Sequence, residues 1–221
     1  MISPFLAKQK GYKFQRSLRK QVPPIERTPL GFVDTVEGLH EAVTEIQQSL
    51  YNSGCNVLAV DLEYHAAFER HATILCLLQM STIEKDYIVD ALVLRDNIAK
   101  SGLKDIFEDP AVVKVFHGSD SDLQLLATDL SIVTVNVFDT ARAYQYLQRM
   151  PAQIGSGQLS QASTSGSAYH NVISLAKLVK LFLEIELDKF FRLADWRIRP
   201  LPKGMEVYAR SDSHFLIPIY A

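Results

Sequence analysis

Four short strings in this chain of 221 residues set acids, a phenol or arginines at spacings that could serve chemistry. The first is Asp61-Leu62-Glu63, which closes the apolar run Val57-Leu58-Ala59-Val60. Residues two apart on a strand face the same side, so both carboxylates project together. Two like charges side by side repel each other, and a cation shared between them relieves the repulsion. An acid-apolar alternation on a solvated strand has the same spacing, so the pair alone leaves both readings open. The second string is His117-Gly118-Ser119-Asp120-Ser121-Asp122. Serine and aspartate are favoured helix caps, and an acid near a helix N-terminus is stabilised by the dipole. A strand running into such a turn also sets a carboxylate at the carboxyl edge of the sheet, where α/β sites lie. Spacing does not choose between Asp120 and Asp122. The third is Tyr208-Ala209-Arg210-Ser211-Asp212, whose first and last residues lie one helical turn apart on one face. An amphipathic tyrosine with its hydroxyl at the surface would look the same. In the fourth, Asp195-Trp196-Arg197-Ile198-Arg199-Pro200, the indole is expected to pack, and Arg197 and Arg199 could meet phosphates. With Lys177 and Lys180 they are the weaker binding candidates.

The elements that must position these strings can be read from periodicity. Val36, Leu39, Val43, Ile46 and Leu50 follow the spacing of an amphipathic helix. Strands are predicted over Val57–Glu63, Ile74–Ser81, Tyr87–Val89 and Val112–Phe116, with Glu84-Lys85-Asp86 as a turn. A helix is predicted over Leu94–Phe107, ended by Asp109-Pro110. Then come a helix from about Ser121, a short strand at Ile132–Val137 and a helix from Asp139 to about Leu147. Gln153–Ser167, rich in Gly, Ser, Gln and Thr, is expected to be a flexible loop. Leu175, Leu178, Val179 and Phe182 restore helical spacing, and a last helix runs from Pro202 to Phe215. Strands followed by alternating strand and helix, then a helical tail, imply an α/β fold: a mixed β-sheet flanked by α-helices. Residues 1–31, with Lys8, Lys10, Lys13, Arg16, Arg19 and Lys20 and broken by Pro23-Pro24 and Pro29, read as an N-terminal arm or linker. The folded domain is expected over 32–221.

Composition excludes several classes. A net charge of −2 carries no global basic signature, so any nucleic-acid binding must rest on a local patch and metal ions. Two cysteines, Cys55 and Cys76, form neither a disulfide framework nor a zinc pattern. Cys76, inside an apolar run, is expected to be buried, and Cys55, beside Gly54, to sit in an exposed turn. No run reaches the roughly eighteen apolar residues of a membrane span.

Taken together, VDLEYH, VKVFHGSDSDLQLL, FDT, ADWRIRPLP and YARSDSHFL resemble, in order and approximate distance, the RNase D-like 3′–5′ exonucleases. They are most similar to the nuclear-exosome-associated branch. The resemblance spans about residues 25–220 and implies an RNase H-like fold with a DEDDy site. It implies Asp61 and Glu63 from the first motif and Asp122, rather than Asp120, from the second. Tyr208 and Asp212 come from the third. Asp61, Glu63, Asp122 and Asp212 would be metal ligands for two Mg²⁺ or Mn²⁺ ions, with Tyr208 orienting the attacking water. Tyr64 and His65 are candidates for contact with the terminal nucleotide. The implied function is 3′–5′ hydrolysis of single-stranded RNA to 5′-mononucleotides, with the nuclear exosome and its cofactors as partners, in the nucleus or nucleolus and with no membrane. A helical HRDC domain is expected downstream. A DNA 3′–5′ exonuclease on the same fold and a catalytically inactive RNA- or protein-binding module are the alternatives. Leu125 departs from the family, which is expected to carry an aromatic residue there. Pro218 should kink or end the final helix.

Overall fold

In the computed structural model, residues 23–52, 54–67, 72–149 and 172–221 are described. The first twenty-two positions of the expected arm and the whole of the expected loop Gln153–Ser167 lie outside the described residues. The elements are β1 (Leu30–Val33), α1 (Val36–Asn52), β2 (Val57–Ala67), β3 (Ala72–Ser81), β4 (Asp86–Asp90), α2 (Ala91–Ile98), α3 (Leu103–Glu108), β5 (Val113–Phe116), α4 (Asp120–Leu130), β6 (Val137–Asp139), α5 (Thr140–Arg149), α6 (Leu175–Leu183), a 3₁₀ turn (Phe190–Leu193), α7 (Lys203–His214) and α8 (Leu216–Tyr220). The six strands form one mixed sheet in the order β1-β4-β3-β2-β5-β6. β2-β3 and β3-β4 are antiparallel, while β1-β4, β2-β5 and β5-β6 are parallel.

Strand alternation assigns the two faces. Leu58, Val60 and Leu62 of β2 join Leu39, Val43, Ile46 and Leu50 of α1 in the larger core. Ala59 turns the other way, onto Leu216 and Ile217 of α8. Asp61 and Glu63 continue the Ala59 series, so the alternation that builds the core aims both acids at the layer formed by α7 and α8. Leu77 and Ile88 pack on that side too, against Trp196, Met205 and Ala209. The register shifts between Glu63 and Tyr64, and Cys76 is the extra residue on β3. A bulge of this kind re-aims the side chains beyond it, here Tyr64 and His65.

Four expectations differ from the structure. The helix expected over Leu94–Phe107 is two helices, because Gly102 takes φ 100°, left-handed backbone that breaks the run. The strand expected at Ile132–Val137 is Val137–Asp139, and Asp139 ends it rather than starting a helix. Cys55 is buried, packed with Val57, Val115 and Ile217. β1, over Leu30–Val33 where no strand is predicted, pairs with β4 from Leu30↔Asp86 onward. The last helical stretch does break ahead of Pro218: α7 stops at His214, and a separate turn, α8, carries the proline.

Candidate active site

β2 delivers Asp61 and Glu63, and α7 crosses over them with Tyr208 and Asp212 on the turn that faces the sheet. Carboxylate oxygens of Asp61, Glu63 and Asp212 lie within 4.8 Å of one another, a spacing at which one cation can bind all three. Asp122 reaches the same region from the first turn of α4 and is buried. It stands outside that triplet, yet its charge raises the pKa values of both Asp61 and Glu63. Asp120, two residues earlier, points to solvent and pairs with Arg142.

Electrostatics separate these acids from ordinary carboxylates. Burial is the largest cause holding Asp61 well above the usual range, followed by the charges of Asp212, Asp122 and Glu63. Glu63 is pushed to about 9 by burial and then by Asp212 and Asp122. Asp122 and Asp212 each sit at about 7, chiefly through burial; the charge of Asp139 adds to the first, and hydrogen bonding from Tyr208 pulls back the second. Tyr208 is itself raised by burial and by Asp212, Glu63 and Asp61, so its hydroxyl stays protonated at neutral pH. Among the described residues none of the four acids is ion-paired to a basic side chain. An all-oxygen donor set with unrelieved negative charge fits hard divalent cations such as Mg²⁺ or Mn²⁺.

The supports of these residues are local. Asp139, at the end of β6, accepts from the Gly118 and Ser119 amides at 3.1 and 2.9 Å, from the Ser119 hydroxyl, and from the Ala141 and Arg142 amides. Burial alone would raise its carboxyl, but those amides outweigh burial and hold it below the usual range. One ionised side chain thereby ties the N-termini of α4 and α5 together and fixes the turn that presents Asp122. Tyr208 is set between two rings, Trp196 at 5.9 Å and Phe191 at 6.4 Å. Gly204 makes room for Phe191, since a Cβ there would lie 2.8 Å from its ring.

A cleft of about 150 Å³ opens beside Asp61, Tyr208 and Asp212, walled by His117, Asp188, Lys189 and Arg192 among others. Sequence reading did not single out Lys189 and Arg192. They follow no local pattern with the acids, and their only signal is proximity to the Asp195-Trp196 string. Tyr64 is 40% exposed and borders a neighbouring hollow with Ser121, Gln124 and Leu125. His65 faces Asp195 at 3.6 Å. Arg199 is engaged in structure: it donates to Asp90, at 2.8 Å for one of its nitrogens, and to the carbonyls of Cys76, Trp196 and Ile198. Arg197 pairs with Asp195 and Lys180 with Glu186.

The 3′-5′ exonuclease family model matches residues 32–221. The exosome complex component 10 homolog of Drosophila melanogaster is 39% identical over 215 residues, which cover 94% of this chain and 21% of that protein. The chain therefore spans about a fifth of the length of that relative. The crystal structure of the catalytic core of RRP6 from Trypanosoma brucei superposes with a TM-score of 0.70 at 32% identity, over 94% of this chain and 52% of that one. RNase D of Escherichia coli gives a TM-score of 0.64 at 21% identity, over 87% and 43%, a likeness of fold. The mixed sheet with flanking helices is the RNase H-like arrangement of these proteins.

Proposed function

This chain belongs to the 3′–5′ exonuclease family, and on that premise we propose that it hydrolyses single-stranded RNA from the 3′ end to 5′-mononucleotides. The observation that carries the reading is the triplet Asp61, Glu63 and Asp212, drawn together from β2 and α7, with the charge of Asp122 on α4 reaching it and no basic partner for any of the four among the described residues. Asp61, Glu63, Asp122 and Asp212 would hold two Mg²⁺ or Mn²⁺ ions. Such ions, when bound, supply Lewis-acid activation of water and neutralise charge on the phosphodiester.

The chain's own residues do the rest. Tyr208 orients the attacking water by hydrogen bonding. Its raised pKa makes it a poor base at neutral pH, so it works as a positioned hydroxyl. Tyr64 offers an exposed ring on which the terminal base can stack, and His65, on the other side of the strand against Asp195, is the second candidate for contact with that nucleotide. RNA is favoured over DNA by the likeness to RRP6 and by the exosome component among the relatives. On the same likeness the chain would work with the exosome in the nucleus, and in the nucleolus within it. Among the described residues no helix is long and apolar enough to cross a membrane.

The test is a 5′-labelled, unstructured RNA incubated with the protein and Mg²⁺ or Mn²⁺, beside a DNA oligonucleotide of the same sequence. A ladder shortening from the 3′ end, faster on RNA and abolished by EDTA, is the expected result. No metal-dependent shortening from folded protein would leave a binding module instead. Equal or faster action on DNA would reassign the substrate.

A further inference from the structure

Gln79 sits in the middle of β3, fully buried, and neither its amide nitrogen nor its amide oxygen has a hydrogen-bond partner among the described residues. Buried amides are almost always paired, so an unpaired one calls for an explanation. Its place in the sheet supplies one. The β2-β3 register sets Gln79 directly opposite Asp61. Directly opposed residues of an antiparallel pair share a face, with Cβ atoms about 4.5–5.5 Å apart. The neighbours two residues away identify that face: Leu77 packs with Met205 and Ala209 of α7, and the Ser81 hydroxyl meets that of Ser213 at 2.9 Å. Gln79 therefore lies under α7 between the turns of Ala209 and Ser213, with Asp61 on one flank and the apolar Ile88 on the other. The serine pair is engaged with itself, and Leu77 and Ile88 offer no polar atoms. The Asp61 carboxylate is the acceptor one strand spacing away.

We propose that Gln79 is the positioning residue for Asp61: a rotation of its side chain brings the unpartnered amide N–H onto the Asp61 carboxylate, and that hydrogen bond holds the carboxylate in the orientation that faces the cations. This rests on the reading of Asp61 as a cation ligand. A ligand on the rim of a sheet, met by the Leu62 backbone but by no side-chain donor among the described residues, can still rotate about χ1 and χ2. A buried donor beside it removes that freedom, as outer-layer partners of metal ligands generally do. A glutamine that only filled space would be replaceable by any apolar side chain of its volume.

The experiment compares the wild-type chain with Gln79→Met and Gln79→Leu, which keep volume and remove the amide. Mn²⁺ binding is followed by electron paramagnetic resonance without RNA, and exonuclease kcat and KM are measured separately. Both variants are expected to melt, without cations, at or above the wild-type temperature. They should bind Mn²⁺ about 10–100-fold more weakly and lose kcat with little change in KM for RNA. If neither variant folds, the wild-type protein still reports: the Gln79 side-chain NH₂ resonances should shift and become exchange-protected on Mg²⁺ addition. Wild-type Mn²⁺ affinity in a folded variant, or NH₂ resonances that ignore Mg²⁺, would overturn the proposal while leaving the exonuclease reading intact. A wild-type chain that binds no Mn²⁺ would remove the reading beneath it.

Discussion

Two sets of acids lie against one sheet, and they are treated in opposite ways. Asp86 and Asp90, at the two ends of β4, are fully matched. Arg210 donates to Asp86 at 2.7 Å and His214 approaches it at 3.1 Å. Arg199 grips Asp90, which also caps α2 by accepting from the Leu92 and Val93 amides. Asp61, Glu63, Asp122 and Asp212 have no basic partner among the described residues; burial raises the pKa values of all four, and repulsion within the set adds to those of Asp61 and Glu63. Arg210 and Asp212 are two residues apart on α7, yet the arginine is spent on β4 while the aspartate is left to face β2. The difference teaches how to tell a structural acid from a site acid: the first has its charge answered within the chain, the second waits for charge from outside.

The largest expected effect sharpens this contrast from both sides. Asp61→Asn should lower exonuclease turnover by at least ~10³-fold, and EDTA should do the same to the wild type. The same substitution should raise the melting temperature of the cation-free protein, because it removes one of several repelling charges. Arg210→Ala should do the reverse. It leaves Asp86, 0% exposed, with His214 as its one remaining side-chain partner among the described residues. Losing one partner of a buried pair costs about 3 kcal/mol or more, which is roughly 6–12 °C for a domain of this size. Differential scanning calorimetry beside the RNA ladder assay separates the two outcomes. If Asp61→Asn destabilised the cation-free chain as much as Arg210→Ala does, the contrast would collapse.

A smaller effect is expected at Tyr208, which belongs to neither set. Tyr208→Phe keeps the ring between Trp196 and Phe191 and removes only the hydroxyl. Turnover should fall roughly 10–100-fold with KM for RNA nearly unchanged, as for a group that acts in the transition state. A rise in KM alone would instead make it a binding contact.

Legibility in the sequence followed the same division. The pattern Val57 to Glu63 disclosed a strand with two acids on one face, and the four-residue spacing disclosed Tyr208 and Asp212 on one side of a helix. Both are local periodicities, and both hold in the structure. The choice of Asp122 over Asp120 came from resemblance, because two acids in a helix's first turn are equivalent by local rules. What distinguishes them is tertiary: one is buried towards β2, the other pairs with Arg142 in solvent. Long-range partners left no trace in sequence. Nothing near Arg199 points to Asp90, 109 residues earlier, and nothing near Asp61 points to Gln79 across the hairpin. The split of the helix at Gly102 was missed because apolar spacing continues through it, while the backbone there is set by one left-handed residue. The burial of Cys55 was missed for a similar reason, since its cover comes from Val115 and Ile217, far along the chain.

The smallest expected effect is a dependence on pH that only the unmatched set can produce. Glu63 at about 9, and Asp122 and Asp212 at about 7, lie above the ordinary values of 4.5 and 3.8 that they regain on unfolding. Between those limits the native chain holds protons that the unfolded chain releases, so stability falls as pH rises. Their contribution is fully present below about pH 4 and is lost progressively as pH rises through 7 towards 9. The melting temperature of EDTA-treated protein should therefore drop by several degrees between pH 5.5 and 8.5. Saturating Mg²⁺ should flatten the decline, because cations favour the ionised acids that folding otherwise disfavours. The increment from Mg²⁺ should thus be largest at the alkaline end, and it should shrink in Asp212→Asn, which removes one titrating member. A melting temperature that rises across this range without cations, or a Mg²⁺ increment independent of pH, would mean that the four acids find their compensating charge inside the chain after all, and the distinction between the two sets would fail.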